Sequence, residues 1–422
     1  MVTSKPFGCV VWAVFITLVL IVSEVRVLLA GEITSKSYTL SEILAIAQEK
    51  NPSVAVLQAN IKAAQGELTS SRAYPNPDLE VELGKGKALE QPGSAYERQD
   101  RLGVGQSLEW PGKRIYRRKA AEAEVGVARM EMEDFQLELA ARVKEAFFNL
   151  LLAEQIGRVT SRNLETAQAL VGSARLRVES GEAPELELIK ARVEFLKVTK
   201  DSRRAENRVV IAKAVLNSLL GGTLGTRYEV TGESSGPEKS YDLAPLLDRA
   251  LTRHPRILRQ QKALEAAGYA LSRERQSRMP DLTIRGSTSE EIDKRSYAIG
   301  LSVPFPLFYQ RQGEIATARA EQTRAQAELE QTRAELTRLV TEEYQNYRIG
   351  TDQIKVFEEG LLKQADEALR IAQLSYQQGE SDLLNLLDAQ RVQRTTLIEY
   401  HEAQFELQAA LARLEQVTGG LP

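Results

Sequence analysis

The chain has 422 residues, of which 43% are hydrophobic and 27% charged, so it is no disordered polymer and has the length of roughly two to three ordinary domains. Lysine and arginine total 55 against 58 acidic residues, a net charge of −3, which offers bulk attraction to no nucleic acid. One cysteine, Cys9, and two histidines, His254 and His401, exclude a disulfide scaffold, a zinc finger and an iron–sulfur site. Aromatics are only 6% while Ala, Leu, Glu, Gln and Arg abound, the composition of long helices.

Lys5 is followed by the apolar run Val10–Val22, shorter than the ~20 apolar residues of a membrane-spanning helix and suited to a signal peptide. Residues 1–30 are read as that signal, although cleavage after Ala30 leaves Leu28 where a small residue is preferred. Cys9 departs with it, so the exported chain has no cysteine. No later segment is long and apolar enough to span as a helix; a membrane would have to be crossed by strands.

An internal repeat organises the rest. Leu40-Ser-Glu-Ile-Leu-Ala-Ile-Ala-Gln-Glu-Lys-Asn-Pro52 returns 203 residues later as Leu243-Ala-Pro-Leu-Leu-Asp-Arg-Ala-Leu-Thr-Arg-His-Pro255. The offset persists to Pro77-Asp78-Leu79 against Pro280-Asp281-Leu282, and is 198 at Gly181-Glu182 against Gly379-Glu380. The first repeat is placed at 31–220 and the second at 242–420, joined by a linker at 221–241 that includes the strand candidate Tyr228-Glu-Val230.

Each unit opens with a helix, roughly Ser41 to Arg72 and Leu243 to Gln276. Alternation follows. Leu79, Val81 and Leu83 oppose Glu80 and Glu82; Leu102, Val104, Leu108 and Trp110 oppose Gly103, Gly105, Ser107 and Glu109; Tyr297, Ile299, Leu301, Val303 and Phe305 share a face. Hairpins are therefore expected at 78–110 and 281–305, with arms of the length a tilted strand needs to cross a bilayer. Long helices are expected at 112–180 and 311–378, each about 100 Å at ~1.5 Å per residue. Returning helices at 184–219 and 381–417 complete the units. Ala318, Gln322, Ala325, Leu329, Thr332, Leu336 and Leu339 form one heptad seam, and Ala320, Ala327 and Ala334 a second on the same helix. Two seams suit a helix with neighbours on both flanks, as in the wall of a tube.

Four strands cannot close a barrel, open edges are not tolerated in lipid, and the smallest membrane barrels have about 8 strands. Several copies must therefore contribute. Tyr74, Trp110, Phe305, Phe308 and Tyr309 sit at the helix-side ends of the strands, where an interfacial aromatic girdle belongs, and Tyr96 and Tyr297 flank the other rim.

At this point the chain resembles the TolC-type outer membrane factors, from Tyr38 to Gly420. Besides the duplication, the matching pieces are Ala73-Tyr-Pro-Asn-Pro-Asp-Leu79, Gly105-Gln-Ser-Leu-Glu-Trp-Pro-Gly-Lys-Arg114 and Ser375-Tyr-Gln-Gln-Gly-Glu-Ser-Asp-Leu-Leu384. The Pro-Asn-Pro and Glu-Trp-Pro-Gly-Lys-Arg strings are most similar to the CzcC-like subgroup of heavy-metal efflux. The resemblance implies a mostly α fold with a membrane β-barrel: a homotrimer whose twelve-stranded barrel in outer-membrane lipid continues into a twelve-helix periplasmic α-barrel. It implies a passive exit duct of a tripartite system, fed by an inner-membrane pump of the RND type through a periplasmic adaptor (membrane fusion) protein. The turns Gly181-Glu182-Ala183 and Gly379-Glu380-Ser381 would be the adaptor-docking tips, with Glu182 or Ser381 favouring the start of the returning helix.

No ligand set, cofactor site or catalytic constellation emerges. Met130 and Met132 are two apart and share no helix face, His254 precedes a proline at a helix break, and His401 stands alone. No nucleophile–base pair is recognisable and no enzyme activity is expected. In the family prototype, aspartates about two turns before the second tip glycine ring the closed pore; here that stretch has Arg370 and Gln373, with Asp366 and Glu367 a turn earlier. Asp366, Glu367 and Arg370 are therefore taken as a candidate constriction held by charge pairs between subunits, the alternative being surface charges facing the periplasm. The same fold could serve drug efflux or type I protein secretion. A rival of another class is a periplasmic coiled-coil scaffold or adaptor without a barrel.

Overall fold

A computed structural model describes residues 36–86, 95–225, 227–232, 240–291 and 294–421. The expected signal peptide, 1–30, lies outside these residues, as does part of the 221–241 linker. The first unit comprises β1 (Ser37–Tyr38), α1 (Leu40–Lys50), α2 (Pro52–Arg72), β2 (Asp78–Gly86), β3 (Glu97–Leu108), α3 (Pro111–Glu179) and α4 (Glu185–Leu219). The second comprises β4 (Glu229–Val230), α5 (Leu243–Arg253), α6 (Pro255–Gln276), β5 (Leu282–Glu291), β6 (Lys294–Ser302), α7 (Gln312–Val356), a π-helical turn (Phe357–Leu361), α8 (Leu362–Gln377) and α9 (Leu383–Thr418).

Local chemistry sets these boundaries. Thr39 caps α1 reciprocally: its hydroxyl accepts from the Glu42 amide at 3.4 Å, and the Glu42 carboxylate accepts from the Thr39 amide at 2.8 Å. The single opening helix expected in each unit is instead two. Asn51 (ψ 124°) and His254 (ψ 132°) are extended because a proline follows each, and proline disfavours helical conformation in the residue before it. Proline then serves as the first residue of α2 and of α6, where no amide is needed. The second long helix also differs from its expected continuity. α3 runs unbroken for 69 residues, whereas α7 and α8 are separated by the five-residue π turn. Strands end earlier than the alternation suggested: Trp110 is the N-cap of α3, and Phe305 lies beyond β6, past Pro304, which has no amide to extend the ladder.

The four long strands form one antiparallel sheet in the order β2-β3-β5-β6, so the last strand of the first hairpin pairs with the first of the second. Register puts Leu79, Val104, Gly286 and Ile299 in one row, and Val81, Leu102, Thr288 and Tyr297 in the next. Rows of the opposite parity hold Glu80, Gly103 and Ser287, then Glu82, Arg101 and Ser289. One face is thus apolar and the other polar, with Arg101 bonded to Glu82 at 3.2 Å. β2 and β6 are open edges. The short β1 pairs parallel with β4, tying the start of the first unit to the linker.

Next to the sheet the helices lie side by side as α2–α3–α6–α7; toward the far end the order becomes α4–α3–α9–α8. The chain is four helices wide at either level. Three buried clusters hold this strip together: one around Phe147, Leu150 and Leu216, one around Leu336, Leu407 and Leu414, and a third near the turns around Leu170, Tyr376 and Leu386. Ala325, Leu329 and Leu336 of the first seam are buried inside the chain, while Ala320, Ala327 and Ala334 of the second are exposed.

Candidate functional site

The apolar face of the sheet is bare. Leu79 is 71% exposed, Leu301 69% and Ile299 89%, with Val81, Leu83 and Tyr297 similarly open. Burying one such side chain is worth about 1.5–3 kcal/mol, so leaving a whole face in water is prohibitive. Among the described residues no helix is long and apolar enough to cross a membrane.

The five aromatic residues expected to form a girdle gather at the junction of sheet and helices. Trp110 is fixed there: its indole N–H donates to Gln276 at 3.1 Å and its amide donates to the Asp281 carboxylate at 2.9 Å, which also receives Lys113 at 2.8 Å. The Arg114 guanidinium lies 3.9 Å from the centre of the Tyr74 ring. Phe305 and Phe308 are fully in the open, and the Tyr309 hydroxyl donates to Glu314 at 2.5 Å. Arg311, the one non-glycine with positive φ among the described residues (58°), starts α7 with its guanidinium on Glu274 at 2.5 Å. Burial works to raise the Glu274 carboxyl, but the bonds from Arg311 and Arg273 outweigh it and hold the group below its ordinary value.

On the helical strip, a groove of 640 Å³ crosses α2, α3, α6 and α7. Its floor includes Ala121, Ala266 and Ala270, and its walls carry Glu67, Glu124, Glu321 and Glu328 against Arg117, Arg273 and Arg324. Arg117 reaches Glu109 at 2.6 Å, a residue with the parity of the sheet's polar face, so this charged surface continues that face. No group of three or more His, Cys, Asp or Glu side chains among the described residues is placed to hold a metal ion.

At the far end the two turns are built alike. Gly181 (φ 76°) and Gly379 (φ 74°) follow α3 and α8 in left-handed conformation, which only glycine adopts without strain. The Glu182 amide donates to the Arg177 carbonyl at 2.8 Å and the Glu380 amide to the Ser375 carbonyl at 2.9 Å, closing the same helix-ending motif. The returning helices start differently from expectation. Asp382, not Ser381, caps α9 by accepting from the Asn385 amide at 3.1 Å, and Pro184 precedes α4 with no side-chain cap. Leucines five residues on either side of each glycine are exposed: Leu176 and Leu186, Leu374 and Leu384.

Sequence reasoning missed the contact that joins these turns. The Tyr376 hydroxyl of α8 donates to Glu187 of α4, which also receives Arg177 of α3 at 3.2 Å, and the Arg177 guanidinium lies 4.9 Å from the Tyr376 ring centre. Burial and the bond to Glu187 push the Tyr376 phenol up from its ordinary value. Tyr376 sits three residues before its tip glycine, where the other unit has Val178; comparing the two turns position by position was the available signal. The candidate constriction is elsewhere and locally paired: Arg370 donates to Glu367 at 2.6 Å within α8, and Asp366 accepts from Gln393 of α9 at 3.0 Å.

The family model described as outer membrane efflux protein matches residues 43–222 and 246–420. The cobalt-zinc-cadmium resistance protein CzcC of Cupriavidus metallidurans is 24% identical over 90% of each chain. The nickel-cobalt-cadmium resistance protein NccC of Alcaligenes xylosoxydans xylosoxydans is 24% identical over 72% of this chain and 68% of its own. In fold, a membrane protein from Pseudomonas aeruginosa superposes with a TM-score of 0.80 at 20% identity, covering 92% of this chain and 91% of that one.

Proposed function

The chain belongs to the outer membrane efflux protein family, and from that premise we propose that it assembles as a homotrimeric exit duct for heavy-metal cations. It is an efflux channel component of the outer membrane, working with an adaptor and an inner-membrane pump. The observation that carries the trimer is the sheet: four paired strands with one bare apolar face and two open edges. Lipid covers such a face, and further copies close such edges. Three copies give a barrel of twelve strands, and the four-helix strip then gives twelve helices around the same axis. The exposed alanine seam of α7, and Leu186, Ile189, Val193 and Leu196 along α4, lie on the two flanks where neighbours would pack. This arrangement tells against a barrel-free periplasmic scaffold.

Cobalt, zinc and cadmium are named for CzcC, and nickel, cobalt and cadmium for NccC, which supports metal cations as cargo here and a pump of the RND type behind them. The charged groove, with alanines between mixed carboxylates and guanidiniums, suits passage of hydrated ions without tight binding. The tips, Gly181, Glu182, Ala183, Gly379, Glu380 and Ser381 with their flanking leucines, are the adaptor-docking surface. The Arg177–Glu187–Tyr376 contact ties the two hairpin ends of one subunit together and keeps the tip closed, while Asp366, Glu367 and Arg370 line the constriction above it. Deletion of the gene should raise sensitivity to zinc, cobalt or cadmium, restored by the wild-type chain. Unchanged metal tolerance together with lost tolerance to an organic compound would reassign the cargo and leave the duct standing. For the constriction, Arg370→Ala should raise single-channel conductance in planar bilayers; wild-type conductance would remove Arg370 from the gate.

A further inference from the structure

The elbows between the two opening helices of each unit are equivalent in the repeat but use different chemistry. In the first, the Asn51 side chain donates through Nδ2 to the Leu219 carbonyl at 2.9 Å, in the last turn of α4. Its Oδ1 accepts from the Ser53 amide at 2.8 Å, at the start of α2. In the second, His254 Nε2 lies 3.0 Å from the Gln416 carbonyl in the last turn of α9, and Nδ1 accepts from the Arg256 amide at 3.1 Å, at the start of α6. An amide and an imidazole thus perform the same two tasks, one donation to the end of the returning helix and one acceptance at a helix start.

A carbonyl can only accept, so the ring nitrogen facing Gln416 must carry the hydrogen, and the nitrogen facing Arg256 must be bare. This fixes the neutral ring. A second proton would go on Nδ1, pointing a donor at a donor and abolishing the cap on α6. The amide of Asn51 does not titrate. We propose that His254 is an acid-sensitive fastener: neutral, it bridges the end of α9 to the start of α6; protonated, it keeps its Nε2 bond to Gln416 but can no longer accept from the Arg256 amide, loosening the first turn of α6, while Asn51 holds the first-unit elbow at any pH.

The surroundings make the site responsive. His254 is 1% exposed, and a Cβ at Gly419 would already lie 3.5 Å from its Cα and 3.8 Å from its Cδ2, so a charged ring cannot turn to water without parting the helices. Around it, α3 presents Asp134, which pairs with Arg256 at 3.1 Å, and Lys144, which pairs with Glu415 of α9; α5 brings Arg249 and Arg253. Burial lowers the imidazole below its ordinary value, against the pull of the Gln416 carbonyl and of Asp134, and Arg256 adds to the lowering. Because the folded value lies below the unfolded one, the fastener has full strength above about pH 6.5 and weakens as the pH falls from there through the lower folded value.

Amide hydrogen exchange of the full-length protein in detergent, at pH 7.5 and 5.5 and corrected for intrinsic rates, tests this. Protection of the Arg256, Ile257 and Leu258 amides should fall about tenfold at the lower pH, while that of Ser53 and Val54 stays unchanged. His254→Asn should remove the loss, and Asn51→His should create it at the first elbow. Equal changes at both elbows of the wild type, or a loss that persists in His254→Asn, overturns the proposal. If His254→Asn does not fold, the comparison of the two elbows within the wild type decides alone.

Discussion

The two units of this chain solve the same folding problem with different local chemistry. Both need a bend before a proline; one closes it with Asn51 and the other with His254. Both start a long helix under the sheet, the first at Trp110-Pro111 and the second at Arg311 in left-handed conformation with its guanidinium on Glu274. The first long helix is unbroken; the second takes up a π turn. The backbone turns at the tips are nearly identical, although their side chains differ at Val178 and Tyr376. What the duplication preserves is therefore the set of backbone groups that must be satisfied and the faces that must be covered, while the side chains that satisfy them have drifted.

The largest effects should be shared by both units. Leu216 and Leu414 are each 0% exposed and occupy matching places near the ends of α4 and α9, so Leu216→Ala and Leu414→Ala should each cost about 2–5 kcal/mol in thermal or denaturant unfolding. A cost in one unit alone would mean that the two cores are not equivalent. Slightly smaller losses, about 2–4 kcal/mol, are expected for Val104→Arg and Ile299→Arg, which share one row of the apolar face across both hairpins. Ser287→Arg, on the polar face, should be nearly neutral by the same refolding assay.

Differences between units come next. Arg311→Ala leaves the buried Glu274 with Arg273 alone and should cost about 1.5–3 kcal/mol at neutral pH, with no counterpart in the first unit. Since Glu274 is held below its ordinary value, that stability is present above about pH 4.5 and is lost as the pH falls through the folded value; wild type and variant should converge in acid melts. Tyr376→Phe removes one hydroxyl from the tip contact, for about 1 kcal/mol of stability and a measurable rise in resting conductance. Gly172 lies in the unbroken helix with open space where a Cβ would go, so Gly172→Ala should stabilise by about 0.5–1 kcal/mol; Gly360→Ala, within the π turn, should gain less.

Period-two alternation made the strands legible because one face must be apolar and the other polar, and that requirement writes itself on every second residue. The order of the sheet was not legible, since β3 pairing with β5 joins segments 180 or so residues apart that no local pattern links. The shared prolines Pro52 and Pro255 mark the elbows, and His254 reads as a helix break, but the helical pattern on both sides makes each pair of helices read as one span. The π turn at Phe357–Leu361 lies beyond the heptad seam that ends at Leu339, and the tip contact depends on a tyrosine whose counterpart is Val178, so repetition itself concealed it. Phe305 and Trp110 were placed on strands by their spacing, but the neighbouring prolines end the ladders first.

The proposed duct requires copies of this chain to close one another's open edges around an axis. Native mass spectrometry of the full-length protein extracted from outer membranes in detergent measures this directly: it should give an assembly of three chains, each 46.9 kDa less any removed signal. A monodisperse single chain, stable in buffer without detergent, would contradict it.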